Sequence, residues 1–162
     1  MFRKLLIVLG VLVVILGGTF LYFKDTIMGT VQFAKQTKET VSTVNAVNEK
    51  MPALIQKAKE NQKKGTDSEV KPDKSAEAEI KQELITVKQE MKKLVETEPP
   101  AKLKSMHGKL AAHSDEANLK IDEYIRQIDN GTFNPEEFQA LYEQMKDSPE
   151  FKEAEKYLNL LR

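Results

Sequence analysis

Hydrophobic residues recur along most of this chain at intervals of three and four, the spacing that lines one face of an α-helix. Alternation with a period of two, which is typical of half-buried strands, does not persist for more than a few residues. The clearest helical run is predicted to start at Ser75, which would be its N-cap residue. Its apolar positions step by four, three, four and three: Ile80, Leu84, Val87, Met91 and Leu94.

A second helix is predicted to follow the segment 98–100, which is Glu-Pro-Pro. A residue that precedes proline is driven out of the helical conformation, so this segment ends the first helix. The second helix should run from Ala101 to Asp129 and end at the cap pair Asn130-Gly131. Because the connection is so short, the two helices must lie antiparallel and form a hairpin. The positions expected to face inward are Leu103, Met106, Leu110, Ala117, Ile121, Tyr124 and Ile128.

The stretch between the N-terminus and the hairpin divides into a helical part and a polar part. From 25 to 60 the apolar spacing predicts a membrane-proximal helical segment, which Pro52 should kink or interrupt. Residues 61–75 are polar, contain Gly65 and Pro72, and are predicted to be a flexible linker. The hairpin and everything after it, residues 76–162, would form the main extracytoplasmic domain.

The C-terminal region repeats one capping pattern and concentrates the aromatic residues. Asn134-Pro135 and Ser148-Pro149 each place a capping residue before a proline at the first helical position. Two short helices are therefore expected, near 135–146 and 149–161. Their aromatic side chains either cover the open end of the bundle or form a surface for a protein partner. The residues of that candidate partner surface are Phe133, Phe138, Tyr142, Phe151 and Tyr157.

A continuous run of 19 uncharged, largely apolar residues opens the chain, from Leu5 to Phe23. As a helix this run spans about 28 Å, close to the hydrocarbon thickness of a bilayer. Basic residues border it on both sides, and aromatic residues stand at its second border, as in an interfacial anchor. We therefore expect residues 1–24 to be a transmembrane signal anchor in contact with the lipid bilayer. The residues that define its borders are Arg3, Lys4, Tyr22, Phe23 and Lys24.

A cleaved secretory signal is the alternative interpretation of this segment, because residues 5–16 have the length of a signal core and Gly17 and Gly18 follow. The bulky residues before the glycines and the apolar run beyond them favour an anchor. The basic residues at the start favour a cytoplasmic N-terminus and an extracytoplasmic C-terminal domain. No later apolar stretch approaches eighteen residues, so we expect a single crossing of the cell membrane.

Composition narrows the class of protein. The chain has no cysteine, which excludes a disulfide framework and fits a bacterial envelope protein held together by helix packing. Basic and acidic residues balance at 25 each, but residues 24–114 hold 17 basic and 13 acidic residues, whereas residues 115–162 hold 6 and 12. The positive charge near the anchor would attract anionic lipid headgroups or wall polymers. Solvated helix faces of mixed charge are the simpler explanation.

The residue types that carry catalysis or bind cofactors are present but not arranged for either task. His107 and His113 fall on different sides of a helix, without a carboxylate cluster that would complete a metal site. The segment 130–137 resembles the second half of a calcium-binding loop, yet Arg126 and Ile128 occupy the first and third ligand positions. No serine stands in a nucleophile elbow, and no glycine-rich loop could cradle a phosphate. We therefore expect no enzyme, no cofactor, no metal and no nucleic-acid partner.

Three segments, in order, carry a resemblance to a known family: TVNAVNEKMPAL at 43–54, EPPA at 98–101 and IDEYIRQIDNGTFNP at 121–135. Through them the chain resembles an uncharacterised family of small extracytoplasmic lipoproteins of spore-forming Gram-positive bacteria. The resemblance implies an extracytoplasmic helical domain and supplies no catalytic residue. Such proteins usually carry a lipobox cysteine, whereas this chain has Gly17 and Gly18 there, so its anchor would be the helix itself.

These observations predict an all-α protein: an N-terminal transmembrane helix, then an antiparallel helical hairpin or small bundle, then two short C-terminal helices. The leading hypothesis is that the protein docks an envelope protein, of unknown identity, through the hairpin or the aromatic tail. The alternative is an accessory ligand-sensing bundle without a signal-transmitting crossing of its own. A third interpretation is a coiled-coil homo-oligomer between residues 27 and 58, with Asn45 and Asn48 fixing the register.

Overall fold

A computed structural model describes residues 29–67, 73–101 and 104–147. The described residues form four α-helices and no strand, which confirms the prediction of an all-α fold. In chain order the helices are α1 (Gly29–Asp67), α2 (Ser75–Glu96), α3 (Lys104–Asp129) and α4 (Pro135–Asp147).

The helices pack as a bundle in which α2 contacts α1 on one side and α3 on the other, and α4 folds back along α1. Each long helix contributes one apolar face with the predicted spacing of three and four residues. Burying these side chains, at roughly 25 cal/mol per Å² of apolar surface, is the main driving force for the fold. The largest fully buried apolar side chains of the three long helices are Ile55, Ile80, Met91, Leu94 and Leu110.

Ion pairs between neighbouring helices show their directions. Two ion pairs join α1 to α2, and two join α2 to α3. Between each two helices the residue numbers of the pairs rise on one helix and fall on the other. α2 is therefore antiparallel to both α1 and α3, which confirms the predicted hairpin. All the pairs are partly exposed, and such pairs contribute only about 0.2–1 kcal/mol each. The pairs are Lys50–Glu83 and Lys57–Glu79 between α1 and α2, and Lys81–Asp129 and Lys88–Asp122 between α2 and α3.

α3 ends in the cap that the sequence predicts at Asn130-Gly131. Gly131 has a φ of 70°, in the left-handed region that glycine adopts without steric cost. Its N–H donates to the carbonyl oxygen of Ile128 at 3.1 Å, and the N–H of Thr132 donates to that of Gln127 at 2.9 Å. These two bonds satisfy carbonyl groups that the end of a helix otherwise leaves unpaired.

The starts of α4 and α2 are capped in different ways. Pro135 is the first residue of α4, as predicted. Asn134 Oδ1 caps the helix by accepting hydrogen bonds from the N–H groups of Glu136 at 3.0 Å and Glu137 at 3.3 Å. Ser75 was expected as the N-cap of α2, but it is the first helical residue and Lys74 holds the N-cap position. The carboxylate of Asp73 accepts from the N–H of Ser75 at 2.8 Å instead, and this bond lowers the pKa of Asp73.

α1 continues past Pro52, where the sequence predicts a kink or an interruption, and past residue 61, where it predicts the start of a flexible linker. Pro52 lies inside the helix, although it cannot donate a backbone hydrogen bond there. Met51 and Ile55 on either side of it are almost fully buried, and their packing offsets the lost bond. The helix also runs on to Asp67, so the first part of the predicted linker 61–75 is helical.

Some predicted features lie outside the described residues. These are the second short helix at 149–161 and the whole N-terminal anchor, which therefore stays a prediction. Among the helices that the structure describes, none has the length and hydrophobicity needed to cross a bilayer. The anchor residues outside the described part are Arg3, Lys4, Tyr22, Phe23 and Lys24.

Candidate functional site

A groove lies at the end of the bundle opposite Gly29, close to where α2 and α4 begin. Its volume is about 650 Å³, and it opens to solvent. We name it the distal groove. Its walls come from α1, the start of α2, the turn after α3 and the start of α4. The lining residues are Lys59, Gln62, Lys63, Lys74, Glu77 and residues 131–136.

The floor of the distal groove is a hydrogen-bonded junction between three elements. Gln62 Nε2 donates to Oε1 of Glu77 at 3.1 Å and to the carbonyl oxygen of Phe133 at 3.0 Å. Glu77 is only 7% exposed, and a buried carboxylate is costly without such a partner. The side-chain amide of Gln62 thus links α1 both to α2 and to the turn before α4. These hydrogen bonds form the polar floor of the groove.

Two lysines, Lys59 and Lys74, border this floor. Lys59 Nζ donates to Oε1 of Gln139 at 2.9 Å, and that amide is uncharged. Lys74 Nζ lies over Gly131, where a Cβ built on the glycine would be 3.0 Å from it. Neither ammonium forms an ion pair with a carboxylate of the described residues. The groove therefore presents positive charge to solvent.

The aromatic residues of the candidate partner surface pack into the fold wherever the structure describes them. Phe133, Phe138 and Tyr142 are each at least nine-tenths buried. The ring centroids of Phe133 and Phe138 are 5.4 Å apart, within the range of stabilising aromatic pairs. This supports the interpretation in which these residues cover the bundle. Phe151 and Tyr157 lie outside the described residues, so a partner surface there stays a prediction.

Tyr142 also joins α4 to α1 by a contact that the sequence did not predict. Its hydroxyl donates to the carbonyl oxygen of Asn48 at 2.8 Å and lies within hydrogen-bond distance of the side-chain oxygen of the same residue. Asn48 is one of the two asparagines expected to fix the register of an oligomer. It is engaged within the chain here, and the homo-oligomer stays a prediction.

Comparison with known proteins assigns most of the chain to one family. The Family of unknown function (DUF6376) matches residues 33–158. The chain belongs to this family. No curated protein and no solved structure was found to match it. The DUF6376 region begins within α1 and extends beyond α4, so it contains the entire distal groove.

The DUF6376 region has a second unusual feature, in the half of the bundle nearest Gly29. The hydroxyl of Thr37, which is 2% exposed, has no hydrogen-bond partner within the described part of the chain. The same holds for the buried Nε2 of His107 and the buried Oδ1 of Asn118. We name these three residues the polar layer, although they do not form one site, since His107 and Asn118 lie roughly 16 Å apart along α3. His113 is half-buried, and within residues 29–67, 73–101 and 104–147 no group of three acidic or histidine side chains is close enough to hold a metal ion.

The distal groove of the DUF6376 region does not show in the sequence. Its walls come from positions far apart in the chain, and no short motif joins them. One local signal was available, because Lys59 and Lys63 are four residues apart on a helix. Residues at that spacing lie on the same face of a helix, so these two lysines place positive charge on one wall of the groove.

Proposed function

We propose that the protein is a membrane-anchored, extracytoplasmic helical protein of the cell envelope that is not an enzyme and docks a protein partner. The observation that carries the proposal is the distal groove. It combines a hydrogen-bonded polar floor with the ammonium groups of Lys59 and Lys74, which form no ion pair with a carboxylate of the described residues, and this combination suits a binding site.

The position of the groove supports the same proposal. Only residues 25–28 separate the expected anchor from the start of α1. From Gly29 to Lys59 the helix rises roughly 45 Å at about 1.5 Å per residue. If α1 stands along the membrane normal in a protein anchored at its N-terminus, the groove lies well clear of the headgroups, where a partner could reach it. In this proposal the protein is a relative of the small lipoproteins of spore-forming Gram-positive bacteria in which the anchor helix replaces the lipid.

Site-specific crosslinking in cells that produce the full-length protein tests this function. A photoreactive amino acid at Thr132 or Glu136, both exposed at the groove, should give the same discrete adduct with one envelope protein. The matched control is Asp115, which is exposed on α3 outside the groove and should give no such adduct. Absence of the adduct from both groove positions, or an equal adduct from the control, would contradict docking at the groove.

A second candidate function, an accessory ligand-sensing bundle, is favoured by the polar layer. Buried polar atoms without partners are rare in folded proteins, and a small polar molecule bound beside Thr37 would satisfy its hydroxyl, which has no partner among the described residues. A thermal-shift screen of small polar molecules on the full-length protein tests this. The proposal expects a ligand that raises the melting temperature of the wild type but not of Thr37→Val. If no molecule separates the two proteins, sensing at this layer is excluded as the function.

A further inference from the structure

We infer that Pro52 of α1 and Tyr142 of α4 form a latch that holds α4 against α1 and thereby sets one wall of the distal groove. The latch pairs a hydrogen bond that is missing from one helix with a hydroxyl group of the other. It depends only on contacts within the chain, so it exists whether or not a partner docks at the groove.

Pro52 leaves one carbonyl group of α1 without its helical donor. In an α-helix the N–H of each residue donates to the carbonyl oxygen four residues before it, and proline has no N–H. The carbonyl group that lacks this donor belongs to Asn48. A helix face that packs against a neighbour leaves such a group unpaired only at a cost, because a buried backbone oxygen needs a hydrogen bond.

Tyr142 supplies the missing donor from the neighbouring helix. Its hydroxyl donates to the carbonyl oxygen of Asn48 at 2.8 Å, an ordinary length for a hydrogen bond between two oxygens. Pro52 and Tyr142 also line the same cavity of about 190 Å³ between α1 and α4. The proline that removes the helical donor and the tyrosine that replaces it therefore meet at one place on the interface.

α4 needs such a contact more than the longer helices do. It is the shortest of the described helices, with 13 residues, and an isolated helix of that length is marginal in water. Its buried Phe138 and Leu141 favour docking, but apolar contacts are not directional. A hydrogen bond to one particular carbonyl group fixes where along α1 the helix docks.

The position of α4 determines the shape of the distal groove. Pro135 and Glu136, at the start of α4, line the groove, and the Phe133 carbonyl just before them accepts from Gln62 in its floor. If α4 left α1, this wall and this hydrogen bond would be lost together. Tyr142 lies about 10 Å further along α4 than Pro135, so it acts as a positioning residue that does not itself line the groove.

Native-state hydrogen exchange on the full-length protein in detergent micelles tests the latch. In the wild type, amides of residues 139–145 should exchange faster than those of residues 84–91 in the centre of α2. They should also share one opening equilibrium, because a latch opens as a unit. Tyr142→Phe should speed exchange of the α4 amides about five- to ten-fold, since it leaves the carbonyl of Asn48 without the donor.

The Pro52→Ala background separates the latch from ordinary packing. Pro52 is exposed, and alanine there restores an N–H that can donate to the carbonyl of Asn48. In this background Tyr142→Phe should speed exchange by no more than about two-fold. The matched control is Tyr124→Phe in the wild-type background. Its ring lies 4.9 Å from that of Phe138 in α4, and loss of its hydroxyl should leave exchange of α4 unchanged. Circular dichroism of each variant establishes that the fold is retained.

Three results would overturn the inference. An equal effect of Tyr142→Phe in both backgrounds would mean that the hydroxyl does not act through the carbonyl freed by Pro52. A comparable effect of Tyr124→Phe would mean that loss of any tyrosine hydroxyl beside α4 loosens it. Exchange of the α4 amides only together with those of α2 would mean that α4 does not open separately. Absence of adducts at Thr132 and Glu136 in cells would contradict docking but not the latch, so the two proposals can fail separately.

Discussion

At the scale of single residues, Gly131 and Gly108 differ in whether their positions need a glycine. Gly131 has a left-handed backbone, and the ammonium of Lys74 occupies the space that a side chain would need. Gly108 lies in the interior of α3, and a Cβ added there would meet nothing within 4 Å. The first glycine is required by the turn, whereas the second only increases the freedom of the unfolded chain.

The same substitution at these positions should therefore change stability in opposite directions. Gly131→Ala should lower the free energy of unfolding by about 1–2 kcal/mol, because alanine is strained in the left-handed region. Gly108→Ala should raise it by about 0.5–1 kcal/mol, because alanine is the better helix former. Urea unfolding of the full-length protein in detergent, followed by circular dichroism, measures both. A stabilised Gly131→Ala variant would contradict the turn.

Tyr124 gives a pH-dependent prediction. Burial, with smaller contributions from Glu123 and Glu137, raises the pKa of its phenol above the ordinary value near 10. A group whose pKa is raised by folding stabilises the protein below its unfolded pKa, and that contribution is lost as the pH rises through the folded pKa. The free energy of unfolding of the wild type should thus fall more steeply above pH 10 than that of Tyr124→Phe. Identical slopes in urea unfolding between pH 9 and 11 would refute this.

The charged residues of the helices specify which helices are neighbours. α2 presents Glu79 and Glu83 to α1, and Lys81 and Lys88 to α3, so its two sides are not interchangeable. Each pair contributes little, but a shifted or exchanged helix would bring like charges together. Lys81 and Lys88 are seven residues apart, which is about two helical turns, so both lie on the same face of α2. This spacing could have revealed the pattern in the sequence.

Exchanging the two charges of one ion pair between α2 and α3 tests whether charged residues determine which helices are neighbours. Lys88→Asp alone should destabilise the fold by about 1 kcal/mol, because the new carboxylate would face the carboxylate of Asp122. Lys88→Asp combined with Asp122→Lys should recover at least half of that loss, since the pair is restored with its charges exchanged. A double-mutant cycle of urea unfolding energies measures the coupling. Additive effects would show that the pair does not couple the helices.

Two of the three predicted helix caps within the described residues, whose determining contacts are local, were correct, and the third fell one residue away, on Lys74 and not on Ser75. The caps at Gly131 and Asn134 depend on residues within one turn of each other, and both were predicted correctly. The continuation of α1 through Pro52 and past residue 61 to Asp67 did not follow from the sequence, because packing of α1 against α2 and α4 overrides the local preference. The distal groove could not be predicted because the contact between Gln62 and the Phe133 carbonyl joins residues 71 positions apart.

At the scale of the whole molecule, the described helices form two unlike halves. In the half that contains the distal groove, the core residues of α1 are all apolar: Met51, Ile55 and Ala58. In the half near Gly29, α1 buries Thr37 and Thr40 among its apolar residues Phe33, Val41, Val44 and Val47, and the polar layer leaves atoms there without hydrogen-bond partners in the part described. Buried polar groups without partners lower local stability. We expect the half near Gly29 to open more readily than the half that holds the groove.

Native-state hydrogen exchange tests this difference between the halves. Amides of α1 between 33 and 44 should exchange faster than those between 48 and 58. Thr37→Val should slow exchange in the first range, because it removes a buried hydroxyl that has no partner. Thr40→Val is the matched control, since its hydroxyl donates to the carbonyl oxygen of Glu90 at 3.4 Å and its loss should not slow exchange. Uniform exchange along α1 would contradict the account.

Cysteine labelling tests most directly the central claim, that an N-terminal anchor holds the groove outside the cell. The chain contains no cysteine, so each introduced thiol reports on a single position. In intact cells, a membrane-impermeant maleimide should label Thr132→Cys at the groove, and it should label Phe2→Cys only after lysis. Both variants should be found at full length in the membrane fraction. Protection of Thr132→Cys in intact cells, or a soluble protein that lacks the N-terminal segment, would contradict the account.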